Sequence, residues 1–187
     1  MSTRRRIGWG VVVCGLTLAS GACGDTPAPT TPSGRATLVV TSSVMTEGGQ
    51  LPAEYTCDGA GVSPPLSWTG APAGTAEFAV LMSTLPGDGT TKWNWVLYAV
   101  PAGVGALTRA ESRVGVFGVG SDGPQAAYQP PCSQGPGAKE YTFTVYALSR
   151  ALTPGTAPVT GAAVTAAVAS TTLASGTLRV SYTRPRL

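Results

Sequence analysis

The chain has 187 residues, of which 25 are glycine and 16 proline, too many helix breakers for a helical protein and in keeping with short strands joined by turns. It contains no histidine, which excludes Ser-His-Asp and Cys-His catalysis and any histidine metal ligand. The net charge of +3 is carried by Arg4, Arg5 and Arg6; the remainder holds nine basic and nine acidic residues, and a neutral body without a basic cluster argues against nucleic acid as a partner.

In chain order, "MSTRRR" is a charged start, "IGWGVVVCGLTLA" an apolar run and "SGAC" a stretch of small residues. Together they predict a signal peptide over residues 1–22 and an exported protein. The apolar run is too short and too glycine-rich for a transmembrane helix. "LASGACGD" resembles a bacterial lipobox in which Cys23 is lipidated and becomes the first mature residue. Ser20 departs from that pattern, and Ser20-Gly21-Ala22 also fits ordinary cleavage with soluble secretion. Residues 23–35, "CGDTPAPTTPSGR", read as a Pro/Thr-rich tether that holds a domain of residues 36–187 off a membrane. The expected location is therefore the outer face of a bacterial cell membrane, held by a lipid anchor.

From Ala36 onward, "ATLVVTS" is a strand and "GGQLPAEYTCDGAGVSPP" a long loop. "LSW", "AEFAVLMS", "WNWVLYAV" and "YTFTVYAL" follow as strands. In "TTKWNWVLYAV", strict alternation puts Trp93, Trp95 and Leu97 on one face and Asn94, Val96 and Tyr98 on the other. An amide between two tryptophans is an unusual choice for a mid-strand position. "TGAAVTAAVASTTLAS", Thr160 to Ser175, is the helix candidate, with Thr160 as N-cap and Gly176 as stop. "TLRVSYTR" closes the chain as an alternating strand. The whole predicts a mainly β fold, an antiparallel sandwich or open sheet with a minor helical element.

Catalytic signatures are absent from this pattern. "GVGSDG", Gly118 to Gly123, matches G-x-G-x-x-G, but Pro124 follows and no helix opens there. Glu47, Glu54 and Asp58 read as solvated loop carboxylates rather than an acid-base pair, and Ser63 has no base beside it. Of the cysteines, Cys14 leaves with the signal, and Cys57 and Cys132 remain as an even pair in an exported chain. A bridge between them would close a loop of about 75 residues and stabilise by roughly 4 kcal/mol at most; the alternative is two buried thiols. Two cysteines without histidine do not make a standard zinc site, and neither a metal nor a cofactor is expected.

The blocks "LPAEYTCDGAGVSPPLSWTGAPAGTAEFAVLM", "WNWVLYAVPAG", "PC", "YTFTVYAL" and "LASGTLRVSYTR", in this order, resemble the phosphatidylethanolamine-binding protein family in its bacterial Raf kinase inhibitor-like branch. The resemblance runs from roughly Thr37 to Arg184. It implies a β-sandwich with a few short peripheral helices, a small anion-accepting pocket at one end, and a binder or inhibitor rather than an enzyme. It also implies that the loops carrying Cys57 and Cys132 meet at the pocket end.

The pocket is where the chain departs from that family. An acidic D-D-P-D-A-P run is replaced by Ser83, Thr84, Leu85 and Pro86, and an H-W pair by Asn94-Trp95. H-R-Y becomes Lys139, Glu140 and Tyr141, and G-P-C-P-P becomes Pro130, Pro131, Cys132, Ser133 and Gln134. The expected pocket residues are Ser83, Thr84, Pro86, Asn94, Tyr128, Pro131 and Lys139, with Trp93 and Trp95 turned away into packing. Lys139 can attract an anion, but no acid is expected to remain for an amine. Two lost charge-assisted bonds at roughly 1.5–3 kcal/mol each predict weak binding of any anionic or zwitterionic ligand. Two functions stay open at this point. One is a non-enzymatic binding or inhibitory module; the other is an envelope scaffold whose partner is a protein.

Overall fold

The computed structural model describes residues 36–133 and 136–185. The signal segment, Cys23, the tether and Gln134 lie outside the described residues. The strands, in chain order, are β1 Ala36–Thr37, β2 Val39–Thr41, β3 Gly49–Gln50, β4 Leu66–Thr69, β5 Glu77–Thr84, β6 Lys92–Pro101, β7 Ala106–Leu107, β8 Val116–Phe117, β9 Lys139–Leu148 and β10 Thr172–Tyr182. A single-turn 3-10 helix, Ala53–Tyr55, and one α-helix, α1 Gly161–Val168, complete the set. The larger sheet runs β1-β10-β9-β5-β6-β8, with β3 also paired to β10, and the smaller runs β2-β4-β7. β1 and β3 lie parallel to β10. The long pairs β10/β9, β9/β5 and β5/β6 are antiparallel.

Period-2 burial decides which face of the larger sheet is core. In β9, Tyr141, Phe143, Val145 and Ala147 point to one side, and in β10 Ala174, Leu178, Val180 and Tyr182 do the same. They pack against Val40, Leu66, Trp68 and Leu107 of the smaller sheet, with the rings of Trp68 and Phe78 5.3 Å apart across the interface. The opposite face carries Ala79, Leu81, Val96 and Leu148, which α1 covers with Val164 and Val168. This is the sandwich with a peripheral helix near the C-terminus that the sequence implies.

Two local expectations need correction. "ATLVVTS" is not one strand but two, because the chain leaves the larger sheet at Leu38 and enters the smaller one at Val39. The crossing is tight, since a Cβ on Gly176 would lie 2.2 Å from the Leu38 carbonyl oxygen. Gly176 is therefore the middle of β10 rather than a helix stop. The helix begins as expected, with the Thr160 hydroxyl accepting from the Ala163 amide at 3.3 Å, but ends at Val168 instead of Ser175. Beyond it, alternating burial from Ala174 to Tyr182 against two neighbouring strands outweighs the helix propensity of a few alanines.

Candidate functional site

At one end of the larger sheet, β5 and β6 stop level at Thr84 and Lys92, and β9, whose Thr142 pairs with Ser83, begins a little beyond them at Lys139. These strand ends and the segment 122–133 enclose a cavity of about 760 Å³. Its shape follows from a fault in β6. Met82 pairs with Trp95 while Ser83 pairs with Trp93, so Asn94 is the extra residue of a β-bulge. The bulge breaks the alternation expected of this strand. Trp93 packs with Val96 and Tyr98 on the helix-covered side, and Trp95 joins Leu97 in the main core. Asn94 is free to line the cavity. The expected grouping of both tryptophans with Leu97 is thus corrected, while Asn94 does stand at the pocket.

Asn94 holds the opposite wall in place. Its Nδ2 donates to the Gln129 carbonyl at 3.1 Å, and the Gln129 amide donates to the Asn94 carbonyl at 2.7 Å. The buried Gln129 side chain then organises the segment before it. Its Oε1 accepts from the Asp122 amide at 2.8 Å and its Nε2 donates to the Gly123 carbonyl at 3.0 Å. This explains the middle glycine of "GVGSDG". A Cβ on Gly120 would lie 2.3 Å from Gln129 Oε1 and 2.6 Å from the Trp93 carbonyl oxygen. The Gly120→Ala variant is accordingly expected to lose about 1–3 kcal/mol, read as a lower denaturant midpoint. An unchanged midpoint would contradict this packing.

Tyr128 forms the inner wall. Its hydroxyl donates to the Tyr55 carbonyl at 2.7 Å, its ring stands edge-on to Trp95 at 5.6 Å, and burial pushes its phenol far above the usual range. Tyr141 is also in the wall, 3 % exposed. Burial first and the nearby Asp122 carboxylate second raise its phenol. The Asn94 Oδ1, the Trp95 Nε1 and the Ser133 Oγ are buried without a hydrogen-bond partner among the described residues.

The rim is stapled by the Cys57–Cys132 disulfide, with Cα atoms 5.2 Å apart, and Cys132 itself lines the cavity. Beside it the Cys57 amide donates to the Pro131 carbonyl at 3.0 Å. The bridge, rather than two thiols, is the form present.

Of the expected pocket residues, Thr84, Pro86, Asn94, Tyr128 and Lys139 line the cavity. Ser83 and Pro131 do not. Ser83 is held between Trp93 and Thr142 in the sheet, and Pro131 is buried behind its neighbours Pro130 and Cys132. Leu85 points outward, 68 % exposed, and Met82 is in the core, so neither fills the cavity. Lys92, Asp122, Gln125, Gln129 and Tyr141 were not expected there and are. Lys92 and Tyr141 were within reach of reasoning, since each lies two residues from an expected pocket residue on the same strand. Asp122 and Gln125 sit on a loop where no periodicity points. Asp122 also overturns the expectation that no acid is left for an amine.

The carboxylates weighed in the sequence are occupied elsewhere. Glu47 pairs with Arg179, Glu54 with Arg109, and Asp58 with Arg184 and the Tyr182 hydroxyl. Ser63 Oγ accepts from the Glu111 amide at 3.0 Å, a structural bond. Glu111 lies beside a smaller cavity of about 300 Å³ on the far side of Tyr128. Burial raises its carboxyl, but bonds from the Arg113 amide, the Thr108 hydroxyl and amide and the Ser112 amide outweigh that and hold it at about 2. A depressed carboxyl stabilises the folded state above its ordinary value of 4.5 and loses that contribution as pH falls toward about 2. The protection of amides in residues 108–114, taken relative to their intrinsic exchange rates at each pH, is therefore expected to fall across that window, and in Glu111→Gln to be low already at neutral pH. A pH-independent loop would refute this.

The comparisons agree with the fold. The family described as phosphatidylethanolamine-binding protein matches residues 41–183. A Mycobacterium tuberculosis protein named "Putative lipoprotein LppC" is 32 % identical over 148 residues, covering 78 % of this chain and 71 % of that one. The crystal structure of Escherichia coli YbcL, described as a new member of the mammalian PEBP family, superposes with a TM-score of 0.71 at 26 % identity, over 81 % of this chain and 100 % of YbcL. That of a phosphatidylethanolamine-binding protein homolog from Chlamydia trachomatis shares the fold, with a TM-score of 0.73 at 24 % identity over 80 % of this chain and 99 % of that one. With its sandwich, its end-on cavity and a family match across most of its length, the chain belongs to the phosphatidylethanolamine-binding protein family.

Proposed function

We propose that this protein is an exported, lipid-anchored binding or inhibitory module, not an enzyme, whose cavity takes a small anionic or zwitterionic ligand. One observation carries the reading. The chain has two lysines, Lys92 and Lys139, both line the cavity together with Asp122, and none of the three has an ion-pair partner among the described residues. Charged groups left unpaired around one concavity are available for charges of a ligand, the ammoniums for an anion and the carboxylate for a cation. The lipobox-like position of Cys23 and the lipoprotein name of the Mycobacterium tuberculosis relative support the anchor. Against catalysis stands the absence of any imidazole, and the Thr84 and Tyr128 hydroxyls both donate to backbone carbonyls.

Lys92 and Asp122 are exposed, so their contribution is screened and the affinity modest, with a dissociation constant between micromolar and millimolar. Calorimetric titration with phosphoethanolamine, inorganic phosphate and ethanolamine tests this. The zwitterion should bind more tightly than either half. Absence of heat with all three would remove the ligand reading in favour of a protein-binding scaffold. Mass spectrometry of the mature N-terminus tests the anchor, and an unmodified Cys23 would remove it.

A further inference from the structure

The cavity that holds Lys92, Lys139 and Asp122 is larger than those charges need. Cavities of about 300–1,000 Å³ suit ligands of drug size, so at about 760 Å³ most of it stays unfilled around phosphoethanolamine. Its surplus wall is largely apolar, from Pro86, Ala127, Pro130 and the ring of Tyr128. The smaller concavity of about 300 Å³ adjoins that wall, because Ala127 and Tyr128 line both. At the junction the chain raises only methyl groups, with Ala126 exposed and Ala127 half-buried. Tyr128 is fixed beside them, its hydroxyl held by the Tyr55 carbonyl at 2.7 Å and its ring by the edge contact with Trp95.

The smaller concavity offers little to a charge. Its carboxylate, Glu111, already accepts from the Ser112, Arg113 and Val114 amides and from the amide and hydroxyl of Thr108. Ser63 is occupied as well, its Oγ by the Glu111 amide and its carbonyl by the Ala110 amide. Val62 and Phe117, which pack on the main core, complete the lining beside the Tyr128 ring. Water there finds few free polar partners, and an apolar group that displaces loosely held water gains affinity. We infer that the two concavities are one site, and that its ligand is a phosphoethanolamine-like zwitterion esterified to a single apolar arm. The head stands among Lys92, Lys139 and Asp122, and the arm crosses Ala127 to lie against Val62, Phe117 and the far face of Tyr128. The inference rests on the ligand reading above and adds what the charged head is attached to. At about 300 Å³ the second concavity is at the low end for a ligand pocket; it takes one short chain or ring, not the two acyl chains of a membrane phospholipid. A free amphiphile and a phospholipid present the same head, so the number of arms separates the two sources.

Calorimetry on the mature chain carrying Cys23→Ser, which takes the anchor out of the measurement, tests this. The ligands are phosphoethanolamine and its methyl, butyl and hexyl phosphodiesters, each below its aggregation concentration. The methyl ester is the reference, because esterification removes one ionisable oxygen. Full burial of a methylene is worth about fourfold in affinity. In a concavity open on one side about twofold is expected for each, hence roughly thirtyfold from methyl to hexyl. In nuclear magnetic resonance spectra the amides of Val62 and Ala126 should shift with the hexyl ester and stay in place with phosphoethanolamine. Ala126→Gln, a neutral change at an exposed position, should cut the methyl-to-hexyl gain to less than about fivefold. Equal affinity for the methyl and hexyl esters would overturn the inference while the ligand reading stands on phosphoethanolamine itself. A gain untouched by Ala126→Gln, with Val62 and Ala126 unmoved, would overturn it as well, since the arm would then lie elsewhere. Dihexanoyl phosphatidylethanolamine, two-armed and soluble, should bind no tighter than the hexyl ester. Binding more than about tenfold tighter would make the ligand an intact phospholipid and reject the single arm. If no member of the series binds, phosphoethanolamine included, the ligand reading and the inference fall together.

Discussion

Replacing Cys57 and Cys132 by serine is expected to cost the domain about 4 kcal/mol of unfolding free energy, with the cavity rim loosening first. The bridge spans a sequence separation of 75, and the chain-entropy treatment of a loop that long gives about 4 kcal/mol. The figure is an upper one, because the same two segments are joined in other ways. The Cys57 amide bonds the Pro131 carbonyl, and the Tyr128 hydroxyl bonds the Tyr55 carbonyl. Asp58 is held from the other side by Tyr182 and Arg184. These bonds keep the rim near its place but do not restrict the unfolded chain, which is where a cross-link has most of its effect. Denaturant midpoints with and without reductant measure the loss. Amide exchange at Cys57, Gly59 and Gly61 should rise before exchange in β5 and β9. An unfolding free energy lowered by less than about 1 kcal/mol, close to the roughly 10–15 % uncertainty of such extrapolations, would mean that the bridge does not constrain the unfolded state.

Converting both lysines to glutamine should weaken phosphoethanolamine binding by about thirtyfold, while leaving the fold intact. A hydrogen bond to a charged group contributes about 1.5–3 kcal/mol. Lys139 is half-buried and takes the lower end, while Lys92 is exposed and screened to about 0.5 kcal/mol, about 2 kcal/mol for the pair. The companion change, Asp122→Asn, should spare phosphate and weaken the amine end alone. Calorimetry on the three proteins with phosphate, ethanolamine and phosphoethanolamine separates the two ends of the site. Equal losses for all ligands in both variants would show that the charges act only through the general field of the protein. Added salt should erode the lysine contribution more than the packing around Tyr128 and Tyr141.

Much of the architecture could be read from residue patterns because it is built from patterns. The alternation in "YTFTVYAL" is the core face of β9, and the Thr160 cap does begin α1. What misled the sequence reading was any place where one residue does a job that periodicity does not describe. Asn94 is an extra residue in β6, so counting by twos assigned Trp93 to the wrong face. Gly176 reads as a helix stop but is a strand residue kept small by the Leu38 carbonyl oxygen. Residues 172–175 are rich in alanine, serine and threonine, and it is pairing with β9 and β1 that gives them to a strand. For the cavity, the strand-borne residues Asn94 and Lys139 were legible because a resemblance fixed their positions. Asp122 and Gln129 were not, because their placement depends on one buried amide bonding to three backbone groups on a loop.

The switch of the chain from one sheet to the other at Leu38 has a mechanical side. A force applied at Ala36 along β1, which is parallel to β10, loads the bonds of that short ladder and the Leu38 amide bond to the Ser175 carbonyl, 3.0 Å long, together in shear rather than opening them one by one. The same pull then meets β2, which is paired in the other sheet at Val39–Thr41. Both layers of the sandwich are therefore engaged within the six residues Ala36 to Thr41, and after β1 yields the chain is still held by β2 in the other sheet. Under the N-terminal anchor proposed above, that is the resistant way to be attached.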